Sequence, residues 1–210
     1  MAKKIIITIA RQYGSGGREI GGRVAEILGI PLYDKELIKD AAAKGNLNED
    51  VLRTSDESAA NSLLYTLAVG SNVVGTTMHF GYKMPINDKL FILQSEVIKE
   101  YASKGSCVVI GRCADYVLRD EPNLFRIFVY GDLDHRQERV KSRHPEVKTS
   151  QIIDIINKTD KRRSSYYNFY TGNKWGKYDN YDMAINSSTL GIEQSANLIA
   201  SAVKKLIEEE

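Results

Sequence analysis

The chain is poor in sulfur: 210 residues carry two cysteines, Cys107 and Cys113. Two thiols cannot build a disulfide framework. Cys107 sits in the apolar run Cys107-Val108-Val109-Ile110, where a reduced, buried thiol is expected. Cys113 has no histidine near it in sequence to form a catalytic pair, so a structural role is expected. The chain also lacks a charge excess. Its 29 basic and 27 acidic residues leave a net charge of +2, which excludes nucleic-acid binding through bulk charge and leaves only local patches. No apolar run approaches the ~18 residues of a membrane span. The lysines and isoleucines after Met1 break into Arg11-Gln12, not into a small-residue cleavage site. A soluble, cytoplasmic protein with no membrane partner is expected. The standard phosphate-loop signatures are missing too. With Gly16 as the last glycine of a Walker A pattern, Arg11 stands at the first glycine, Gly17 at the lysine and Arg18 at the hydroxyl residue. A dinucleotide pattern starting at Gly14 fails at Glu19.

What is present is a strand, a glycine cluster and a helix in succession. Ile5 to Ala10 is a β-branched run; Gly14-Ser15-Gly16-Gly17 follows. Ile20, Val24, Ile27 and Leu28 then recur at helical spacing. Glycines let backbone N–H groups crowd an anion, and a helix N-terminus adds its positive dipole end. A plainer reading is a turn that only lets the helix pack on a sheet.

A hydrophobic content of 42% supports a sizeable core, and the length fits one domain carrying an insertion. Strands are expected at 4–10, 32–34, 107–110, 125–130 and 182–186. Helices are expected at 17–28, 35–43, 87–103, from Ala114 through Leu118, after Asp132 as N-cap, at 148–170 and at 191–207. Strands alternating with helices give an α/β domain with parallel strands. Residues 45–85 break the rhythm and read as a mostly helical insertion that could cover an acceptor, or as plain decoration.

Ligands of open α/β sheets bind beyond the carboxyl ends of the strands. Arg112 emerges at such an end, after Ile110-Gly111, as does the Gly14–Gly17 loop. Arg136, Arg139 and Arg143 share one helix face and could face an anion or solvent. Lys161-Arg162-Arg163, followed by Tyr166, Tyr167, Phe169 and Tyr170, suits a lid that clamps polyphosphate, or a nucleic-acid patch. The near-neutral total charge favours the lid, so no nucleic-acid partner is expected.

These stretches resemble the cytidylate kinase-like family over nearly the whole chain. The resemblance rests on Arg11-Gln12-Tyr13-Gly14-Ser15-Gly16-Gly17-Arg18-Glu19-Ile20, Tyr33-Asp34, Ile110-Gly111-Arg112, the lid segment Asp160-Lys161-Arg162-Arg163 with Tyr166-Tyr167, and Tyr181-Asp182 with Ile185-Asn186. It implies a P-loop NTPase-type α/β/α sandwich on a five-stranded parallel sheet. It also implies an acceptor-binding insertion at 45–85 and a basic lid at 144–181. The implied activity is transfer of the γ-phosphoryl of ATP, with Mg2+, to CMP, dCMP or another small acceptor.

On that reading Arg18 and the amides of Gly14, Ser15, Gly16 and Gly17 hold donor phosphates. Arg112 binds the acceptor phosphate, and Asp34 contacts the acceptor or caps the next helix. Arg136, Arg139, Arg143, Arg162 and Arg163 supply closing charge. Glu19 belongs to the same loop, either with a metal between it and the phosphates or in a salt bridge to Arg11, Arg18 or Arg23. The chain departs from the kinases proper at Gly17 for lysine, Glu19 for a hydroxyl residue, and Ile110 and Cys113 for acids. Two other readings stay open: a catalytically impaired nucleotide-binding regulator, and an RNA-binding module using Lys161 to Tyr170. Metal ligands and oligomeric state are not assigned by the sequence.

Overall fold

The computed structural model describes residues 4–34, 36–45 and 86–208. The expected insertion at 45–85 lies outside them, apart from Gly45 at its start. The described chain runs β1 (Ile6–Arg11), α1 (Gly17–Leu28), β2 (Leu32–Tyr33), α2 (Glu36–Gly45), α3 (Ile86–Ser103), β3 (Cys107–Ile110), α4 (Ala114–Val117), β4 (Leu124–Tyr130), α5 (Leu133–Arg143), α6 (Thr149–Thr171), a 3-10 turn (Tyr178–Asn180), β5 (Met183–Asn186) and α7 (Ser187–Glu208). The strands form one sheet in the order β2-β3-β1-β4-β5, and every pairing is parallel.

The first strand lies in the middle of the sheet because its residues are apolar on both faces. Ile6 to Ile9 pair with Cys107 to Ile110 on one side, and Ile6 to Arg11 with Leu124 to Val129 on the other. Side chains alternate across a strand. Ile7 and Ile9 therefore join Ile20 and Val24 of α1 and Ile199 and Val203 of α7 in one core. Ile6 joins Leu37 of α2 and Leu90, Val97 and Ile98 of α3 in the other. Helices thus cover both faces, as an all-parallel sheet requires. Each fully buried isoleucine contributes about 1.5–3 kcal/mol of apolar transfer.

Two boundaries differ from expectation. The helix after Arg112 is a single turn, Ala114–Val117. The last helix begins at Ser187, not Gly191, and is broken inside at Gly191, whose φ is 70°. The Ser195 hydroxyl donates to the Gly191 carbonyl at 2.5 Å and so partners that carbonyl at the break. Asp132 is the N-cap residue of α5, but its side chain makes no capping bond. Its N–H donates to Ser188 Oγ at 2.8 Å, and its carboxylate accepts from Asn186 Nδ2 at 3.3 Å. Among the described residues no helix is long and apolar enough to cross a membrane.

Candidate functional site

The glycine loop follows β1 directly and is fixed from below. The Gln12 N–H donates to the Val129 carbonyl at 2.9 Å, and the Ser15 hydroxyl donates to the Gln12 and Val129 carbonyls at 2.9 and 3.2 Å. Gly14 and Gly16 are left-handed, with φ of 81° and 77°. A Cβ on Gly16 would also press on Ile192 and stand 3.1 Å from Arg139 Nη2. The guanidinium of α5 therefore lies against the loop because Gly16 leaves room for it.

The arginine row of α5 is tied down by carboxylates. Buried Arg136 donates through Nη1 to Asp160 Oδ2 at 2.7 Å and to the Tyr13 carbonyl at 3.2 Å. The other oxygen of Asp160 accepts the Tyr13 N–H at 2.7 Å. One acid of α6 thus clips the loop to α5. Glu19, in the first turn of α1, pairs with Arg139 Nη2 at 2.6 Å and with Arg143 Nη2. The expected partners Arg11, Arg18 and Arg23 are replaced by these two. The reason is geometric, since the Arg139 and Arg143 face of α5 lies over that turn. Arg18 turns instead to Asp34, Nε to Oδ2, at 2.5 Å. The carboxylate of Asp34 is thereby engaged, and its backbone N–H donates to Glu36 Oε2 at 3.2 Å.

A separate cleft opens beyond the carboxyl ends of β1 and β3. Arg11, Arg112, Asp115, Arg163, Tyr167 and Trp175 are among its walls, around a cavity of about 30 Å3. Gly111, Arg112 and Cys113 have φ of 68°, 58° and 53°, three left-handed residues in succession. Such a conformation costs about 1–2 kcal/mol at each non-glycine residue. This turn sends Arg112 and, from α4, Asp115 into the same space. A Cβ on Gly111 would also meet Arg11 Nη1, so the Arg11 guanidinium lies close against this turn. Arg163 donates to the Arg11 carbonyl at 3.2 Å and stands 5.6 Å over the Tyr13 ring. Arg162, its neighbour, is exposed.

Asp115 accepts the Tyr167 hydroxyl at 2.7 Å. Burial pushes the Asp115 carboxyl above the usual carboxylate range, against the pull of that bond and of backbone N–H groups. Burial and the neighbouring Asp115 push the Tyr167 and Tyr181 phenols up as well. Both therefore stay neutral hydrogen-bond donors.

The model of the cytidylate kinase-like family matches residues 6–189. The chain belongs to the cytidylate kinase-like family. Among solved structures it is similar to an uncharacterized protein from Eubacterium ventriosum ATCC 27560, with 28% identity, TM-score 0.69, and 96% of this chain and 99% of that one covered. Its fold is also shared with the shikimate kinase of Bacteroides thetaiotaomicron, at 12% identity and TM-score 0.56 over 96% and 99% of the two chains. A gluconokinase from Sinorhizobium meliloti 1021 shares it at 14% identity and TM-score 0.52 over 100% and 97%. No curated protein matches the sequence. The fold is thus that of the P-loop kinases.

In this family member the cleft gathers Arg112 and Arg163 from the residues singled out in the sequence. Arg18, Asp34, Arg136, Arg139, Arg143 and Glu19 are instead held in ion pairs around the loop, and Arg162 faces solvent. Asp115 was given no role from sequence; Arg11 was offered only as a partner of Glu19, and Asp160 and Tyr167 only as parts of the lid motif. Most of the aromatic patch is packed: Tyr166 and Tyr167 are buried and Tyr170 stacks on Phe91 with ring centroids 4.1 Å apart, whereas Phe169 is exposed.

The loop makes no metal site of its own. Ser15 spends its hydroxyl on backbone carbonyls, and Glu19 is held by two arginines. No cluster of three metal-ligating side chains exists among the described residues. Magnesium keeps several waters and is held largely by the phosphates of a nucleotide, so the ion that the resemblance implies would need few ligands from the protein.

Proposed function

We propose that this protein is a cytoplasmic phosphotransferase that moves the γ-phosphoryl group of ATP to CMP, dCMP or another small acceptor. The observation that carries the reading is the convergence of three guanidiniums on one cleft. Arg11 comes from the end of β1, Arg112 from the turn after β3, and Arg163 from α6. Phosphoryl transfer needs little covalent help from a protein and depends on positioning and on positive charge around the moving group. The amides of Gly14 to Gly17, at the start of α1, suit the ATP phosphates. Arg112 suits the acceptor, and Arg163, from the lid helix, suits the group in transit.

The test is ADP release from ATP and magnesium with nucleoside monophosphates and small alcohols in turn. Arg112→Ala should lower kcat/KM for the acceptor about 10–100-fold, the equivalent of one charged hydrogen bond, while ATP binding by calorimetry stays as it was. Equal ADP release by wild type and variant would sink the assignment. A second reading, a nucleotide-binding regulator without turnover, is favoured by the pairing of Arg18, Arg136, Arg139 and Arg143 with carboxylates. Its signature is ATP binding with no ADP release for any acceptor.

A further inference from the structure

The glycine loop lacks the lysine of a Walker A pattern, and the strand before it ends in an arginine that the pattern does not carry. Laid on that pattern, Arg11 stands where the first glycine belongs and Gly17 where the lysine belongs. The cation and the glycine have changed places.

The fold supplies a reason for the exchange. A Cβ on Gly17 would lie 2.6 Å from Arg11 Cβ and 3.1 Å from its Cγ. Side chains at positions 11 and 17 thus start from one spot, and only one of the two can be there. The atoms concerned belong to the root of the arginine side chain, which cannot swing aside as a guanidinium can. From Gly17, the first residue of α1, the Arg11 side chain runs to the turn after β3, where Nη1 lies against Gly111. The guanidinium is thereby delivered to the cleft that Arg112 and Arg163 also line.

The place suits the group that moves. In a Walker A loop the backbone amides cradle the α- and β-phosphates and the lysine reaches towards the γ-phosphate. The amides of Gly14 to Gly17 remain on one side of Arg11, and the turn bearing Arg112, assigned above to the acceptor, lies on the other. Arg18, next to Gly17 in sequence, turns to Asp34 after β2. Arg11 also has interactions of its own in the resting fold. What sets it apart is its path, from the start of α1 to the acceptor side.

We infer that Arg11 is a catalytic residue that replaces the loop lysine and holds the γ-phosphoryl group of ATP on its way to the acceptor. It gives up no proton and no electron pair, because a guanidinium stays charged in proteins. It supplies positive charge and planar N–H donors that match phosphate oxygens. The inference rests on the phosphotransferase reading.

The experiment compares wild type with Arg11→Met and with the double exchange Arg11→Gly with Gly17→Lys. The methionine keeps an unbranched stem beside Gly17 and removes the charge. The double exchange returns the cation to the Walker A position. Once the arginine stem is gone, the nearest atom to a Cβ at position 17 is Val129 Cβ at 3.2 Å, a tight contact that a shift of a few tenths of an ångström relieves. ADP release from ATP and magnesium is measured with nucleoside monophosphates and small alcohols, and ATP and ADP affinities are measured by calorimetry.

Arg11→Met should lower kcat at least about 100-fold. It should weaken ATP about 10-fold and leave ADP within about twofold, since ADP has no γ-phosphate to lose. The double exchange should recover kcat to within about 10-fold of wild type. Gly17→Lys alone should melt below both wild type and the double exchange, because the two stems then claim one spot. An unchanged kcat in Arg11→Met would overturn the inference. Equal weakening of ATP and ADP would overturn it too, by making Arg11 a shaper of the loop. So would a folded double exchange as slow as Arg11→Met. If one variant fails to fold in a melting curve, the other decides. No ADP release by wild type with any acceptor would remove the phosphotransferase reading, and the inference with it.

Discussion

At the residue scale the turn after β3 concentrates the chemistry. Three left-handed residues in a row are costly, and Gly111 removes the cost only for itself. Arg112 and Cys113 hold strained conformations that the sheet on one side and α4 on the other enforce. Strain of this kind gathers where side chains must be aimed, and here it aims Arg112 into the cleft. Thr8 is a different residue-scale expense. It is buried in the central strand, and its hydroxyl has no partner among the described residues. A buried hydroxyl left without a partner costs roughly 1–3 kcal/mol. Thr8→Val, which replaces the hydroxyl with a methyl, should raise stability by up to about 1 kcal/mol in urea unfolding. A lower denaturation midpoint would show that the hydroxyl is partnered after all.

At the element scale the loop, α5 and α6 act as one clasp. Asp160 joins Tyr13 to Arg136, and both charged partners are largely buried. Asp160→Ala would leave the Arg136 guanidinium buried without its counter-charge, a change that costs about 3–5 kcal/mol when a buried pair is broken. A fall of that size in unfolding free energy is expected, and α6 amides near residue 160 should lose hydrogen-exchange protection. Unchanged protection would mean that α6 docks without the clasp. The same elements show what periodicity can read. The spacing of Arg136, Arg139 and Arg143 placed them on one face. Whether that face met a ligand, solvent or an acid depended on Asp160 for Arg136 and, for Arg139 and Arg143, on Glu19, more than a hundred residues earlier in the chain.

For the molecule as a whole, carboxylates occupy the positive groups around the glycine loop. Glu19 sits between Arg139 and Arg143, beside the positive end of α1. On the proposed function it would compete with the phosphates of ATP. Glu19→Gln removes the competing charge and frees the arginines for phosphate. ATP affinity in calorimetry should rise several-fold, and more at low salt than at high salt. An unchanged or weaker affinity would mean that the pair shapes the loop without competing for its ligand.

Much of this protein was legible before the chain was folded. Alternating strands and helices require a parallel sheet, because a helix between two strands returns the chain to the same end. A continuous apolar strand requires cover on both faces, which places β1 in the middle. A glycine cluster between such a strand and a helix marks a place where backbone N–H groups can meet an anion. Those are local consequences of side-chain shape and period. Which charges meet is not local. Arg11, Arg112 and Arg163 are far apart in sequence and share a cleft, and Arg18 and Arg139, beside the loop, face carboxylates. Opposite charges pair with whatever the packed helices bring within reach, and only the tertiary structure fixes that reach.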